Sequence, residues 1–248
     1  MRNKGRSPAA LMLALITATG ASWAAQPESA TPDPQVLTEG FLAAHPDVKH
    51  RMRGVEALDQ QQPEAAFNEF RRAARFADKV SQAMLGEMYW QGLGVEADRG
   101  LAYAWMDLAA ERGYITFVVK REKYWAELSE DERQRALDQG QAIYAEYGDE
   151  VAKPRMQRLL DRGRRNLTGS RVGFVGALKI MIPGPAGAWI SIDGSKYYAD
   201  KYWRPKDYFE WQDRVWDKPP VGTVSIGDIA SSPEAEAGKK AEEAPPQR

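Results

Sequence analysis

Few side chains in this 248-residue sequence are of types that make or break bonds. His45 and His50 are its two histidines, five positions apart, and neither has the cysteine or H-E-x-x-H context of a metal site. They read as two solvated histidines on a leading helix. Ser170 lies in T-G-S-R rather than in a G-x-S-x-G elbow, with both histidines far upstream, which argues against a serine triad. Asp193, Asp200, Asp207, Glu210 and Asp213 lie among aromatic rings, the composition of a glycosidase cleft, but no spacing singles out an acid and a base. Gly173 and Gly176 have neither the G-x-G-x-x-G pattern nor a following Lys-Ser/Thr pair, so no phosphate cradle is read there. Asn166-Leu167-Thr168 is a glycosylation triplet by pattern alone. No catalytic residue, metal or cofactor is expected, and the chain is read as a non-enzyme.

Binding chemistry is better represented. Ten of the 25 aromatic residues fall in 170–217, and Trp189, Trp203, Trp211 and Trp216 are half of the tryptophans. One reading makes Trp189, Tyr202, Trp203 and Trp211 the core of a small cap docked on helices. The other turns some of them outward as a stacking platform for a sugar polymer or an extended segment. Trp203 and Trp211, with Trp90 and Tyr103 upstream, are the candidate partner-binding residues. Arg162, Arg164 and Arg165 form a basic cluster; it suits either a solvated helix end or an anionic partner.

These residues need a scaffold, and the middle of the chain supplies its pattern. Leu85, Met88 and Tyr89 fall at i, i+3, i+4 on a helix starting near Val80. Gly86 leaves room for a neighbouring helix to approach. Gly92 and Gly94 then break the helix and allow a tight reversal, with Val95 plugging the open end. Asp98 is positioned to cap a second helix carrying Leu101, Ala102, Trp105, Leu108 and Ala109, and Gly113 to end it. That second helix has a twin 36 positions upstream: Ala66/Ala102, Phe67/Tyr103, Phe70/Met106, Ala73/Ala109 and Ala74/Ala110 pair at that offset. Self-similarity at such a period marks stacked helical hairpins.

The stretch 83–113 resembles the Sel1-like repeat, a relative of the tetratricopeptide (TPR-like) repeat. The residues that match are Ala83, Leu85, Gly86, Tyr89, Gly92, Gly94, Val95, Ala102, Trp105, Ala109, Ala110 and Gly113. The upstream copy keeps the alanines of residues 66–77 but has Gln60–Gln62 in place of the Gly-x-Gly-Val turn. The resemblance implies a mainly α fold, an α/α solenoid of about two recognisable repeats. It also implies that Tyr89 and Trp105 pack inside, leaving Trp90 and Tyr103 for a surface groove. The family serves in signalling and envelope complexes, including control or assembly of surface polysaccharides. By resemblance, this chain is an adaptor that binds a protein partner.

Ser129 with acids behind it opens a capping helix to Tyr147, followed by another over about 151–165. Beyond Asn166, short apolar runs between Gly/Pro turns, at 173–176, 178–182, 189–192 and 223–226, read as strands. At the other end, Arg2, Lys4 and Arg6 precede the apolar run 9–18, and Ser22-Trp23-Ala24 fits a cleavage site. The expected organisation is a signal peptide (1–24), a flexible leader (25–44) and a helical repeat domain with capping helices (45–165). An aromatic-rich β-containing module (166–229) and a disordered tail (230–248) complete it.

The chain has no cysteine and a net charge of −1, and loss of residues 1–24 removes three cations. No nucleic-acid partner and no transmembrane segment in the mature chain are expected. The function expected is that of an exported adaptor, periplasmic or secreted after cleavage near Ala24, that binds a protein partner in an envelope, signalling or polysaccharide-related complex. The alternatives are a glycan- or envelope-binding protein using the Trp-rich module, and a hydrolase of unknown type.

Overall fold

The computed structural model describes residues 32–167, 179–183 and 189–217. The expected signal peptide and tail, Ser170, and the strands expected at 173–176 and 223–226 lie outside the described residues. A 3-10 turn (Pro34–Val36) leads into α1 (Glu39–Ala44) and α2 (Pro46–Asp59). Then come α3 (Pro63–Ala74), α4 (Lys79–Gln91), α5 (Arg99–Ala109), α6 (Ile115–Glu127), α7 (Glu130–Tyr147) and α8 (Asp149–Leu167). After these lie β1 (Lys179–Pro183), β2 (Trp189–Asp193), α9 (Gly194–Tyr197), α10 (Asp200–Trp203) and α11 (Pro205–Asp217).

Local chemistry sets the helix boundaries. Asp78 caps α4 by accepting from the Ser81 N–H at 2.8 Å, and Asp98 caps α5 by accepting from Leu101 at 3.0 Å. Ser129 and Glu132 close a capping box at the start of α7. Pro46, Pro63 and Pro205 each stand in the first turn of a helix, where an N–H would have no intrahelical acceptor.

The architecture is mainly α, a stack of helical hairpins with a small two-stranded sheet. Within the stack α2 packs along α3, α3 against α4, α4 along α5, and α5 against both α6 and α7. The alanines paired at the 36-residue offset are all buried, as are Phe70 and Met106. At Gly86 a side chain would meet the Ala102 carbonyl at 3.0 Å, so the missing methyl is what lets the backbones of α4 and α5 close up. Each large side chain sealed in this seam contributes about 1.5–3 kcal/mol.

A second core lies where α1, α8 and the C-terminal helices meet. Val36, Phe41, Met156, Leu160, Ile192, Tyr202, Trp203, Tyr208 and Trp211 are buried together there. Gly163 of α8 admits the Trp203 ring, since a Cβ would sit 2.7 Å from it. This core corrects two expectations. The leader is not flexible from Pro32 onward, because Val36 and Phe41 are fully buried. The boundary at 165/166 falls inside α8, whose face is shared with α10 and α11. The aromatic stretch after β2 forms three helices, its rings recurring at helical spacing. β1 and β2 pair antiparallel with Lys179 opposite Asp193 and Ile182 opposite Ile190. Ile192 points into the core, while Trp189 is 65% exposed.

Candidate functional site

Helix α11 reaches the beginnings of α2 and α6. Its Tyr208 hydroxyl donates to Asp47 in the first turn of α2, and the Tyr208 ring packs against His45. One turn later Asp213 accepts from the hydroxyl of Tyr114, the residue that caps α6. Another turn on, Trp216 stacks on Phe117 with ring centres 6.0 Å apart. The tail of the chain is thereby strapped across one end of the stack.

Two polar clusters hold the strap. Arg112 donates to both oxygens of Asp149 (2.7 and 3.0 Å), to the Ala77 carbonyl (3.2 Å) and to Tyr114 and Asp213. Lys79, almost wholly buried, reaches Asp149 at 3.1 Å and Glu111 at 2.5 Å. Burial alone would raise the Asp149 pKa, but Arg112 and Lys79 hold it well below the carboxylate range. In the second cluster the buried Arg51 pairs with Asp78, beside the Asp47 carboxylate. Burial, and then the Asp78 charge, push Asp47 up to about 6. These are structural junctions, with their charges spent on one another.

His45, expected in solvent, is fully buried. It stacks on Phe41, and its two ring nitrogens face the carbonyls of Phe41 (2.8 Å) and Tyr202 (2.7 Å). Burial outweighs both carbonyls and lowers its pKa to about 4. His50 is 2.6 Å from Glu69 and half-buried. The candidate acids are dispersed: Asp193 caps α9, Asp200 pairs with Arg204, and Glu210 pairs loosely with Lys206. Glu210 and Asp213 share an open cleft of about 430 Å³ with Arg112, Tyr114 and Arg214. There Asp213 is already engaged, so the pair is not arranged as acid and base. Among the described residues no cluster has metal-ligating composition, and no helix is long and apolar enough to cross a membrane.

The four aromatic candidates divide. Trp203 and Trp211 are buried in the second core, which removes them as a binding platform. Trp90 and Tyr103 are half-exposed on the opposite end of the stack. Tyr124 stacks on Trp90 at 3.9 Å and Arg99 lies 4.3 Å over the same ring; two groups so close must occupy opposite faces, leaving its edge outward. Tyr103 leans on Trp125 at 4.8 Å, and Arg133 covers Trp125. Tyr124, Trp125, Arg99 and Arg133 therefore join the sequence candidates in one cation–aromatic belt. Trp105 is buried and Tyr89 half-buried in the hairpin seam, packed against Phe67 at 5.3 Å.

The family model of the Sel1 repeat matches residues 79–114, the stretch from the start of α4 to the cap of α6. No curated protein matches the chain. Among solved structures, c5321, a protective antigen of uropathogenic Escherichia coli strains displaying an SLR fold, is 30% identical with a TM-score of 0.39. That alignment covers 46% of this chain and 25% of the antigen, so the chain spans about a quarter of its length. Repeats of this kind build protein–protein interaction scaffolds and are generally non-catalytic. The hairpin of α4 and α5 is thus the part of the chain that matches the Sel1 repeat.

Proposed function

We propose that this protein is an exported adaptor that works in the periplasm or outside the cell and binds a protein partner in an envelope, signalling or polysaccharide-related complex. The basic-apolar-small pattern of residues 1–24 supports export. The observation that carries the binding reading is the half-exposed belt of Trp90, Tyr103 and Trp125, braced by Arg99 and Arg133 at the turn end of the Sel1 hairpin. With Trp90 held between Tyr124 and Arg99, and Tyr103 leaning on Trp125, the ring edges left outward have little entropy to lose on docking, which is what an anchor residue requires.

Affinity capture from envelope extract tests this reading, comparing the full chain with a Trp90→Ala/Tyr103→Ala variant of unchanged circular dichroism. A partner retained by the first and lost by the second supports it. Equal retention by both places the binding face elsewhere. A further fusion of residues 1–30 to alkaline phosphatase reads export directly: activity is expected, and its absence overturns that part.

A further inference from the structure

A band of arginines runs over α3 and α8, away from both the aromatic belt and the strap. Arg71, Arg72 and Arg75 stand on the exposed face of α3 and, with Asn68 and Tyr147, line a cleft of about 220 Å³. Arg155 joins α8 to this group, since its guanidinium donates to the Arg75 carbonyl at 3.3 Å and to the Glu146 carbonyl. Arg158 and Arg162 extend the band, because spacings of three and four residues keep all three on one side of α8. The opposite side of that helix is buried through Ala152, Met156 and Leu160.

The composition of the band is selective. All six cations are arginine, although the chain as a whole is slightly acidic. Arginine presents a planar fork of donors that matches a carboxylate at two points, where lysine offers a point charge. Its local partners are fewer than its cations: Glu69 pairs with Arg72 at 2.7 Å and Glu146 with Arg75 at 2.6 Å, Asp161 and Glu150 flank the α8 portion, and Arg71 donates to the Tyr147 hydroxyl at 3.3 Å. The Arg75–Glu146 pair is open to water on both sides and Arg72 is 59% exposed, its Glu69 being held also by His50, so an incoming carboxylate exchanges with these acids at little expense.

We infer that this band docks an acidic segment of a partner protein, its carboxylates received by the arginine forks and its chain laid in the cleft beside Tyr147. The inference rests on the adaptor reading and adds the chemistry of what is bound. A concave cleft between two helices fits a narrow peptide better than a broad bilayer surface, and this is why a peptide is chosen over anionic lipid.

The experiment is fluorescence anisotropy of a labelled glutamate-rich dodecapeptide titrated with the full chain, at about 50 mM and about 300 mM salt. Saturable binding is expected at low salt and weakening at high salt. Arg72→Glu/Arg158→Glu is expected to weaken it at least tenfold, while Arg53→Glu on the exposed side of α2 leaves it within twofold. Circular dichroism confirms that each variant is folded. Absence of binding at low salt overturns the inference, as does an equal loss in the Arg53 variant. Tighter binding to phosphatidylglycerol vesicles than to the peptide overturns it in favour of a membrane. A chain that ignores the peptide yet still captures a partner through Trp90 and Tyr103 refutes the arginine band alone and leaves the adaptor reading standing.

Discussion

Gly94 lies against the backbone of Pro63: a methyl group added at Gly94 would sit 2.3 Å from the Pro63 carbonyl carbon and 2.4 Å from its oxygen. The turn of one hairpin is seated directly on the first turn of the preceding one. Gly94 also has a φ of +70°, a conformation that L side chains resist. Gly113 shares that conformation at φ +75°, yet nothing lies within 4 Å of its would-be side chain.

These two glycines separate backbone strain from interhelical fit. Gly113→Ala is expected to lose about 1 kcal/mol, the conformational term alone. Gly94→Ala is expected to lose about 3 kcal/mol or more, because α3 must also move aside. Urea titrations of the two variants by circular dichroism measure the difference. Equal losses would show that the hairpin turn does not press on its neighbour.

Arg112→Ala is expected to be among the most damaging single changes. It takes the two-point partner from Asp149, which keeps Lys79 and Lys153, and removes the donor shared by Tyr114 and Asp213, a loss of about 1.5–3 kcal/mol. The stabilisation from Asp149 is present above the pH where that group ionises in the unfolded chain and is lost as acidification reaches its depressed folded pKa. The variant's unfolding midpoint should therefore depend less on acid pH than the parent's. A parallel pair of pH–stability curves would contradict this.

Asp47 and His45 pull stability in opposite directions with pH. Asp47, raised to about 6, binds its proton more tightly when folded, so it contributes stability at low pH that is lost as pH rises through about 6. His45, lowered to about 4, resists protonation when folded, so stability falls as pH drops below about 6.5. Between about 4 and 6 the two slopes largely cancel. Asp47→Asn removes one of them and is expected to leave a fold at least as stable at pH 7 but weakening steeply toward pH 4. Thermal melts across that interval check it; a flat profile in the variant would count against the buried, neutral imidazole.

Much of the central hairpin was legible because its signals are local. Asp98, Gly92, Gly94 and Gly113 act on their own turns, and the alanines repeat at a readable offset. That offset reaches beyond the last alanine pair, Ala74/Ala110: Ala77 stands 36 before Gly113 and adopts the same left-handed conformation at φ +62°, without the glycine that would announce it. His45 is read as solvated for the opposite reason, since the Tyr202 carbonyl facing its Nε2 lies 157 positions away. Helix α11 did carry a usable signal. Pro205 stands in its first turn, and Tyr208, Trp211 and Val215 follow at helical spacing. Counting its aromatic rings instead of phasing them concealed the helix, and with it the burial of Trp203 and Trp211.

A helix that fastens α2 to α6 also acts as a ruler. Its anchor points, Tyr208 on α2 and Trp216 on α6, stand a fixed rise of about 12 Å apart along α11. Solenoids usually grow or shrink by whole units with little consequence elsewhere. Here the insertion of one more hairpin between α5 and α6 would leave Trp216 short of Phe117 and the buckle undone. Repeat number in this chain is tied to the reach of α11, and a change in either calls for a matching change in the other.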